Sequence, residues 1–245
     1  MIKNPKIVAL MIGRGGSTLK DKNILPVLGK PLLHHTGLAA KASKLIGRYY
    51  ISSDCEKILK AAEDIGYSKI KRPEYLSAST SQSVDVVNHA LNVIEKDGPV
   101  EILIVQHANV GTITTKIFDD CINLLLKDNS LSAVIPMHEK SEYHPYRCKT
   151  FSDDGCVYPF FDFSKTKVSG NRQDLPPALF FDHSIWVLSV VNGVKSNNGQ
   201  PPWTCMGNKI KPFLTEGCFD VHEEKDLERT AKWIINNNLN PNYDY

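Results

Sequence analysis

The chain predicts a three-layer α/β fold, a mostly parallel sheet with helices on both faces. Three observations lead there. Short apolar runs of strand length recur, among them IVALMI at 7–12 and ILIV within Glu101–Gln106. Between them lie stretches whose apolar residues fall at helical spacing. Such strand–helix alternation is accommodated by parallel strands joined through crossovers, with the helices covering both faces. At 245 residues with 42% hydrophobic content, the chain has the length of one domain and the apolar material for a sizeable core, so 1–245 is read as a single domain.

Taken in order, Lys6–Ile12 is the first strand. Lys30–Leu45 is helical, with Leu32, Leu33, Leu38, Ala39, Ala42 and Leu45 on one side. Arg48–Ser52 is extended and leads into Ser52-Ser53-Asp54, where Asp54 is placed to cap a helix running from about Glu56 to Ile65. Ile70 opens a short extended piece ending in Lys71-Arg72-Pro73. Val84, Val87, Ala90, Leu91 and Ile94 make one stripe on a helix at Ser83–Glu95. Glu101–Gln106 is a second strongly apolar strand. Thr114–Lys127 is a helix with Ile117, Cys121, Leu124 and Leu125 inward, and Ser132–Met137 a further strand.

From about 138 to 189 the character changes. Pro145, Pro159, Pro176 and Pro177 punctuate short β-type runs at Thr150–Phe151 and Ser184–Leu188. Phe160, Phe161, Phe163, Phe180, Phe181 and Trp186 exceed what a small excursion needs. This is read as a β-rich excursion whose apolar surface covers either a partner subunit or a core of its own. Phe219–Val221 then returns to extended structure, a helix follows over Glu223–Asn236, and polar Asn236–Tyr245 frays.

Several function classes drop out. A net charge of +2 and a modest basic face at Lys41, Lys44 and Arg48 give no footprint for nucleic acid. No apolar run approaches the ~18 residues of a membrane span, so no membrane partner is expected. The apolar part of the N-terminus is short and runs into Arg-Gly-Gly without a cleavage site, unlike a signal peptide. The six cysteines form no C-x-x-C pair and are read as free thiols of a cytoplasmic protein. His34-His35 on the first helix is read as surface, or as packing against a partner.

Ligands of such sheets bind outside the carboxyl ends of the strands. Three predicted ends carry polar groups: Gly13-Arg14-Gly15-Gly16-Ser17, Ser52-Ser53-Asp54 and Gln106-His107. Glycines at the exit of the first strand let backbone N–H groups approach a ligand, and Arg14, Lys20 and Lys22 beside them suit an anion, most simply a phosphate chain. The pattern fits neither the Walker form nor the dinucleotide form.

Six segments, in order, resemble the acylneuraminate cytidylyltransferases, the CMP-sialic acid synthetase family. They are Arg14-Gly15-Gly16-Ser17 with Lys22-Asn23 and Leu28-Gly29-Lys30-Pro31-Leu32, Ile51–Asp54, Arg72–Leu76, Ser83–Leu91, Asn171–Pro176, and Asp220-Val221-His222 through Asp226-Leu227. The resemblance implies a nucleotide-diphospho-sugar transferase-like fold. It also implies a reaction in which the anomeric hydroxyl of a 2-keto-3-deoxy acid sugar (a sialic, legionaminic or pseudaminic-like nonulosonic acid) attacks the α-phosphate of CTP and releases pyrophosphate.

By the same resemblance Arg14, Lys22 and Asn23 form the catalytic group at the phosphates. Gly13, Gly15, Gly16, Ser17, Lys20, Arg72 and Ser83 bind the nucleotide, with Arg72 and the Ser81–Ser83 region at the cytosine. Gln106, Arg172 and Gln173 face the sugar, the last two reaching from the excursion into the neighbouring site of a homodimer; in the segment that departs from the family, His107 and Asn109 either read hydroxyl or N-acyl groups of the sugar or are loop residues with local hydrogen bonds. Asp220 and His222 hold Mg²⁺, with Mn²⁺ as an alternative.

Four departures from the family pattern matter. The loop between RGGS and KN is one residue short. Thr18 stands where the family has lysine. The segment 105–114 has lost an arginine and two prolines. His222 replaces a second aspartate, so either Asp220 alone anchors a hydrated Mg²⁺, or the site accepts Mn²⁺, or His222 acts as a base or hydrogen bonder. Two rival readings stand beside the main one. One is a 3-deoxy-manno-octulosonate cytidylyltransferase or another NTP-sugar nucleotidyltransferase. The other is a catalytically silent nucleotide-binding or scaffold protein.

Overall fold

The apolar run at 7–12 becomes the middle of a central sheet. In the computed structural model, which describes residues 3–16, 19–78, 80–165, 167–196 and 198–237, β1 spans Asn4–Ile12 and its Val8–Met11 stretch is fully enclosed. β1 pairs in parallel with β2 (Ile46–Ser53) on one side, and β2 with β3 (Ser68–Lys71). On its other side β1 pairs in parallel with β4 (Ile102–His107). Beyond β4 lie β5 (Ala133–Glu139), β6 (Leu179–Phe181), β7 (Ile185–Ser189) and β8 (Ile210–Leu214), completing an eight-stranded sheet. β7 runs antiparallel to both β4 and β5, β6 antiparallel to β5, and β8 parallel to β5.

Helices α1 (Leu32–Ala42), α2 (Glu56–Glu63) and α4 (Thr115–Lys127) cover one face, and α3 (Ser83–Ile94) covers the other. The period-2 alternation of the strand divides the core between these faces. Ile7, Ala9 and Met11 pack with Leu33, Ile58 and Phe118, whereas Val8 and Leu10 pack with Val87, Leu91 and Ile94. Helix α5 (Glu224–Asn236) closes a third cluster, in which Val27, Leu32, Val221 and Ile234 meet. It opens with a capping box between Glu223 and Asp226.

Three expectations need correction, and one strand was not foreseen. β8 carries Pro212 and shows no alternation; proline is tolerated because, among the described residues, β8 pairs with β5 alone. Phe219–Val221 is not a strand, but its backbone docks onto the sheet edge through Phe219 N to Thr112 Oγ1 (2.9 Å) and Val221 N to Asn109 O (3.0 Å). Asp54 does not cap α2; the cap position is Cys55, and Asp54 Oδ1 accepts from Gly15 N at 3.0 Å instead. His35 is enclosed rather than exposed, bonded to Val27 O at 2.9 Å, and burial pushes it down to about 4, so it is a neutral core residue.

The excursion is narrower than 138–189, because Leu179–Phe181 and Ile185–Ser189 are sheet strands and Trp186 is a core residue. What projects is an antiparallel ribbon of Lys149–Phe151 with Val157–Pro159, flanked by Tyr146, Phe161 and Phe163 in edge-to-face contact. Phe151 and Phe160 on it are 76% and 63% exposed. All six cysteines are free, and no described helix is long and apolar enough to cross a membrane. Residues 238–245, most of the tail expected to fray, lie outside the described residues.

Candidate active site at the carboxyl edge of the sheet

Strands β1, β2, β3 and β4 are mutually parallel and end on one edge, which is where the polar strand exits gather. An open pocket of ≈230 Å³ lies there, and Gly13, Arg14, Lys22, Asn23, Arg72, Ser83, His107 and Asn109 all line it. Its apolar part comes from Ile12 and from Leu76, Ala78 and Val86 at the foot of α3, with Ser81 beside them. Leu76 and Val86 fall inside family-like segments, but none of these apolar residues was given a role from sequence.

The loop after β1 is built for close approach. Gly13 N donates to Ser52 O at 3.2 Å, and a Cβ on Gly13 would lie 2.9 Å from Ala108 Cβ. Asn23 is 3% exposed and its Nδ2 donates to Arg14 O at 3.1 Å, which pins the loop from inside. Arg14 and Lys22 supply two cations. Burial holds Lys22 below the ordinary lysine range; Asp220 opposes that shift and Arg14 reinforces it. Two half-buried cations lining one pocket at the exit of a strand are suited to an anion.

Arg72, the residue after β3, is 7% exposed. Its Nη2 donates to Ser52 O at 2.8 Å and its Nε to Ser52 Oγ at 3.3 Å. Burial lowers its pKa and the nearby Asp54 counters this. A guanidinium fixed on one side by backbone keeps its fork oriented toward the pocket it lines.

Gln106 does not face the pocket. It is 0% exposed, its Nε2 donates to Thr36 O (3.0 Å) and Thr36 Oγ1 (3.1 Å), and its Oε1 accepts from Tyr67 (2.9 Å). Strand alternation is the reason: Gln106 points to the α1 face and His107 to the α3 face, where the pocket lies. Burial pushes His107 down to about 3, leaving a neutral imidazole at the pocket wall, edge-on to Trp186 at 4.9 Å.

Asp220 reaches the same edge because Val221 is docked on Asn109. Its Oδ1 is sealed from solvent and has no hydrogen-bond partner among the described residues. Burial raises its pKa, against the pull of His183, His222 and Lys22. His222 is 67% exposed, with Nε2 3.8 Å from Asp220 Oδ2. Among the described residues no group of three or more His, Cys, Asp or Glu converges as a metal cage.

Other predicted residues fall elsewhere. Lys20 is exposed and outside the pocket wall, and Gly15 and Gly16 flank the pocket without lining it. Ser17, like Thr18, lies outside the described residues. Arg172 and Gln173 are exposed on the excursion, away from the pocket of their own chain. His183 was missed altogether. It lies in the short break between β6 and β7, its ring 6.0 Å from His107 and 4.8 Å from Trp203. Only an Asp-His-Ser between two apolar runs marked it in the sequence.

Comparison with known proteins finds relatives in sequence and in structure. The profile of the family described as cytidylyltransferase matches residues 8–150. The N-acylneuraminate cytidylyltransferase of Escherichia coli O18:K1:H7 is 35% identical over 89 residues, 36% of this chain and 21% of that protein. That of Streptococcus agalactiae serotype V is 26% identical over 185 residues, 74% of this chain and 43% of that protein. The 3-deoxy-manno-octulosonate cytidylyltransferase of Brucella ovis is 31% identical over 115 residues, 46% of this chain and 43% of that protein. The chain thus matches less than half the length of each of these relatives. In structure it is similar to CMP:2-keto-3-deoxy-manno-octonic acid synthetase complexed with CTP, at a TM-score of 0.67 and 16% identity, over 95% of this chain and 99% of that one. It is also similar to a 4-diphosphocytidyl-2C-methyl-D-erythritol synthase from Anaerococcus prevotii, at a TM-score of 0.61 and 13% identity, over 95% of this chain and 100% of that one.

Proposed function

The chain belongs to the cytidylyltransferase family, and on that premise we propose that it transfers a cytidylyl group from CTP to an acidic 2-keto-3-deoxy sugar, yielding a CMP-sugar and pyrophosphate. The observation that carries this is the meeting of Arg14, Lys22 and Arg72 in one pocket with the unpartnered Asp220 oxygen close enough to Lys22 to act on its charge. Arg14 and Lys22 hold the triphosphate and neutralise charge on the departing pyrophosphate, with Asn23 fixing the loop. Arg72 and the Ser81–Ser83 turn take the cytosine against Leu76 and Val86. His107 and Asn109 face the sugar. Catalysis then consists of holding the anomeric hydroxyl in line with the α-phosphate in a charge-stabilising site, without a covalent intermediate.

A nonulosonic acid is the first candidate for the sugar, on the strength of the Asn171–Pro176 and Asp220–Leu227 segments. A 3-deoxy-octulosonic acid is the alternative, as the Brucella relative illustrates. A divalent cation fits Asp220: a sealed carboxylate oxygen with no partner among the described residues is suited to a ligand bond, and an oxygen-preferring ion such as Mg²⁺ would find in it a ligand of the type it takes. Asp220 would hold it, with exposed His222 as an outer contact or, with Mn²⁺, a ligand. When bound, such an ion supplies charge neutralisation at the phosphates. The apolar ribbon at 149–159 is suited to cover a second copy, bringing Arg172 and Gln173 toward the neighbouring pocket.

Pyrophosphate release tests the reading. With CTP, Mg²⁺ or Mn²⁺, and a panel of sialic, legionaminic, pseudaminic and 3-deoxy-octulosonic acids, at least one acid is expected to drive release that ATP and UTP do not support. CTP binding without release on any acid would favour a silent nucleotide-binding protein. The withdrawal of Gln106 from the pocket is the feature that keeps that second reading in play.

A further inference from the structure

Between β6 and β7 the ladder is broken by Asp182-His183-Ser184, and the break is built around a buried carboxylate. Asp182 is 5% exposed. Its Oδ1 is hydrogen-bonded to Nδ1 of His138 near the end of β5, and its Oδ2 accepts from Thr215 Oγ1 just past β8. Its backbone N donates to Pro136 O at 3.0 Å, and its carbonyl accepts from Cys218 Sγ. Thr215 N donates to Met137 O at 2.9 Å, and Gly217 N to Thr215 Oγ1 at 3.1 Å. One side chain therefore ties the end of β5, the strand break and the loop that runs from 215 to Asp220.

A buried carboxylate is an expensive way to hold a fold together, since apolar groups of similar volume often serve stability as well. What the tie controls is the site. His183, the next residue, adopts φ 50°, a left-handed conformation uncommon for a residue with a side chain. That turn sets its ring beside His107, which lines the pocket. His183 and Asp220 also lie near enough to act on each other's charge. At the far end of the tied loop comes Asp220, whose unpartnered oxygen suits a cation.

We propose that Asp182 is a positioning residue: through His138 and Thr215 it sets the His183 turn against the pocket and fixes the loop that presents Asp220. This rests on reading the pocket as a cytidylyltransferase site. Groups that orient a ligand residue without touching the substrate act in this way, by limiting where the ligand oxygen can lie.

Thr215→Val and Asp182→Asn each weaken the tie at nearly constant volume, whereas Thr215→Ser keeps it. Two measurements decide. The first is the imidazole resonances of His183 and His107 in the ligand-free protein. The second is Mn²⁺ titrated into the CTP complex and followed by electron paramagnetic resonance. The His183 resonances are expected to move in Thr215→Val and Asp182→Asn and to stay in Thr215→Ser. The Mn²⁺ dissociation constant is expected to rise about tenfold in the first two variants, with metal-free CTP affinity and amide-exchange protection in β1 and β2 unchanged. Unmoved His183 resonances in both variants would overturn the proposal. So would a loss of Mn²⁺ affinity that merely follows a loss of protection in β1. Should the native protein bind no CTP, the functional reading fails, while the His183 resonances still decide whether Asp182 sets the turn.

Discussion

Replacing Gln106 by leucine separates a core residue from a substrate contact. The side chain is fully buried and makes three hydrogen bonds, two from Nε2 to Thr36 and one accepted from Tyr67. Leucine fills the same volume, so little cavity forms, and the loss is mainly that of the bonds. At a net ~1 kcal/mol each, with some recovery because Tyr67 can turn its proton to Gly37 O 3.3 Å away, the cost is about 2–3 kcal/mol. For a domain of this size that corresponds to a Tm lower by roughly 4–12 °C. Calorimetric unfolding and steady-state kinetics on the variant give the answer together: a lower Tm with KM for the acid sugar and for CTP unchanged at a temperature where both proteins are folded. An unmoved Tm with a sugar KM raised tenfold would refute the reasoning, since it would mean that Gln106 reaches the substrate after all.

Three further outcomes are expected. Gly13→Ala places a methyl group 2.9 Å from Ala108 Cβ and 3.3 Å from Asn23 Nδ2, so the loop must shift off Ala108 and Asn23, which pins it through Arg14 O, must give way. CTP affinity measured by titration calorimetry should fall about tenfold, or ~1.4 kcal/mol, and an unchanged affinity would contradict the close approach. Lys22 is held below the ordinary lysine range by burial, so its charge is lost at a lower pH as pH rises. CTP affinity should therefore weaken in the alkaline range earlier than an ordinary lysine (pKa about 10.4) dictates, and Lys22→Arg, which stays charged, should flatten that profile. Changing exposed Phe151 and Phe160 together to glutamate should convert a dimer to monomers in sedimentation with the far-ultraviolet circular dichroism unchanged; a native protein that sediments as a monomer would dismiss the ribbon as an interface.

Strands with continuous apolar runs were legible in the sequence because burial on both faces demands such runs: β1 and β4 lie within a residue or two of their expected bounds. Helices α3 and α4 were legible for the complementary reason, a single apolar stripe. β8 was not, because an edge strand with one partner needs neither alternation nor the absence of proline. Of the site, what lies on consecutive residues at strand exits was readable: Gly13, Arg14, Arg72 and His107. What depends on which way a strand faces was not. One position of register decides whether Gln106 or His107 faces the pocket, and no local composition reports it. Asp182 and His183 were hidden for another reason. Their significance comes from partners at 138 and 215, and only the folded sheet makes those neighbours. Arg72 and Asp54 show an intermediate case, since their positions were foreseen but not their bonds to Ser52 and Gly15.

Cytidylyl transfer itself is the central claim, and the covalent product is its most direct test. The protein is incubated with CTP, Mg²⁺ or Mn²⁺ and each acid sugar in turn, and the mixture is analysed by mass spectrometry. The expected result is a CMP ester of one acid, formed with equimolar pyrophosphate and lost in Arg14→Ala. Intact CTP with every acid and either metal, from protein that demonstrably binds CTP, would contradict it.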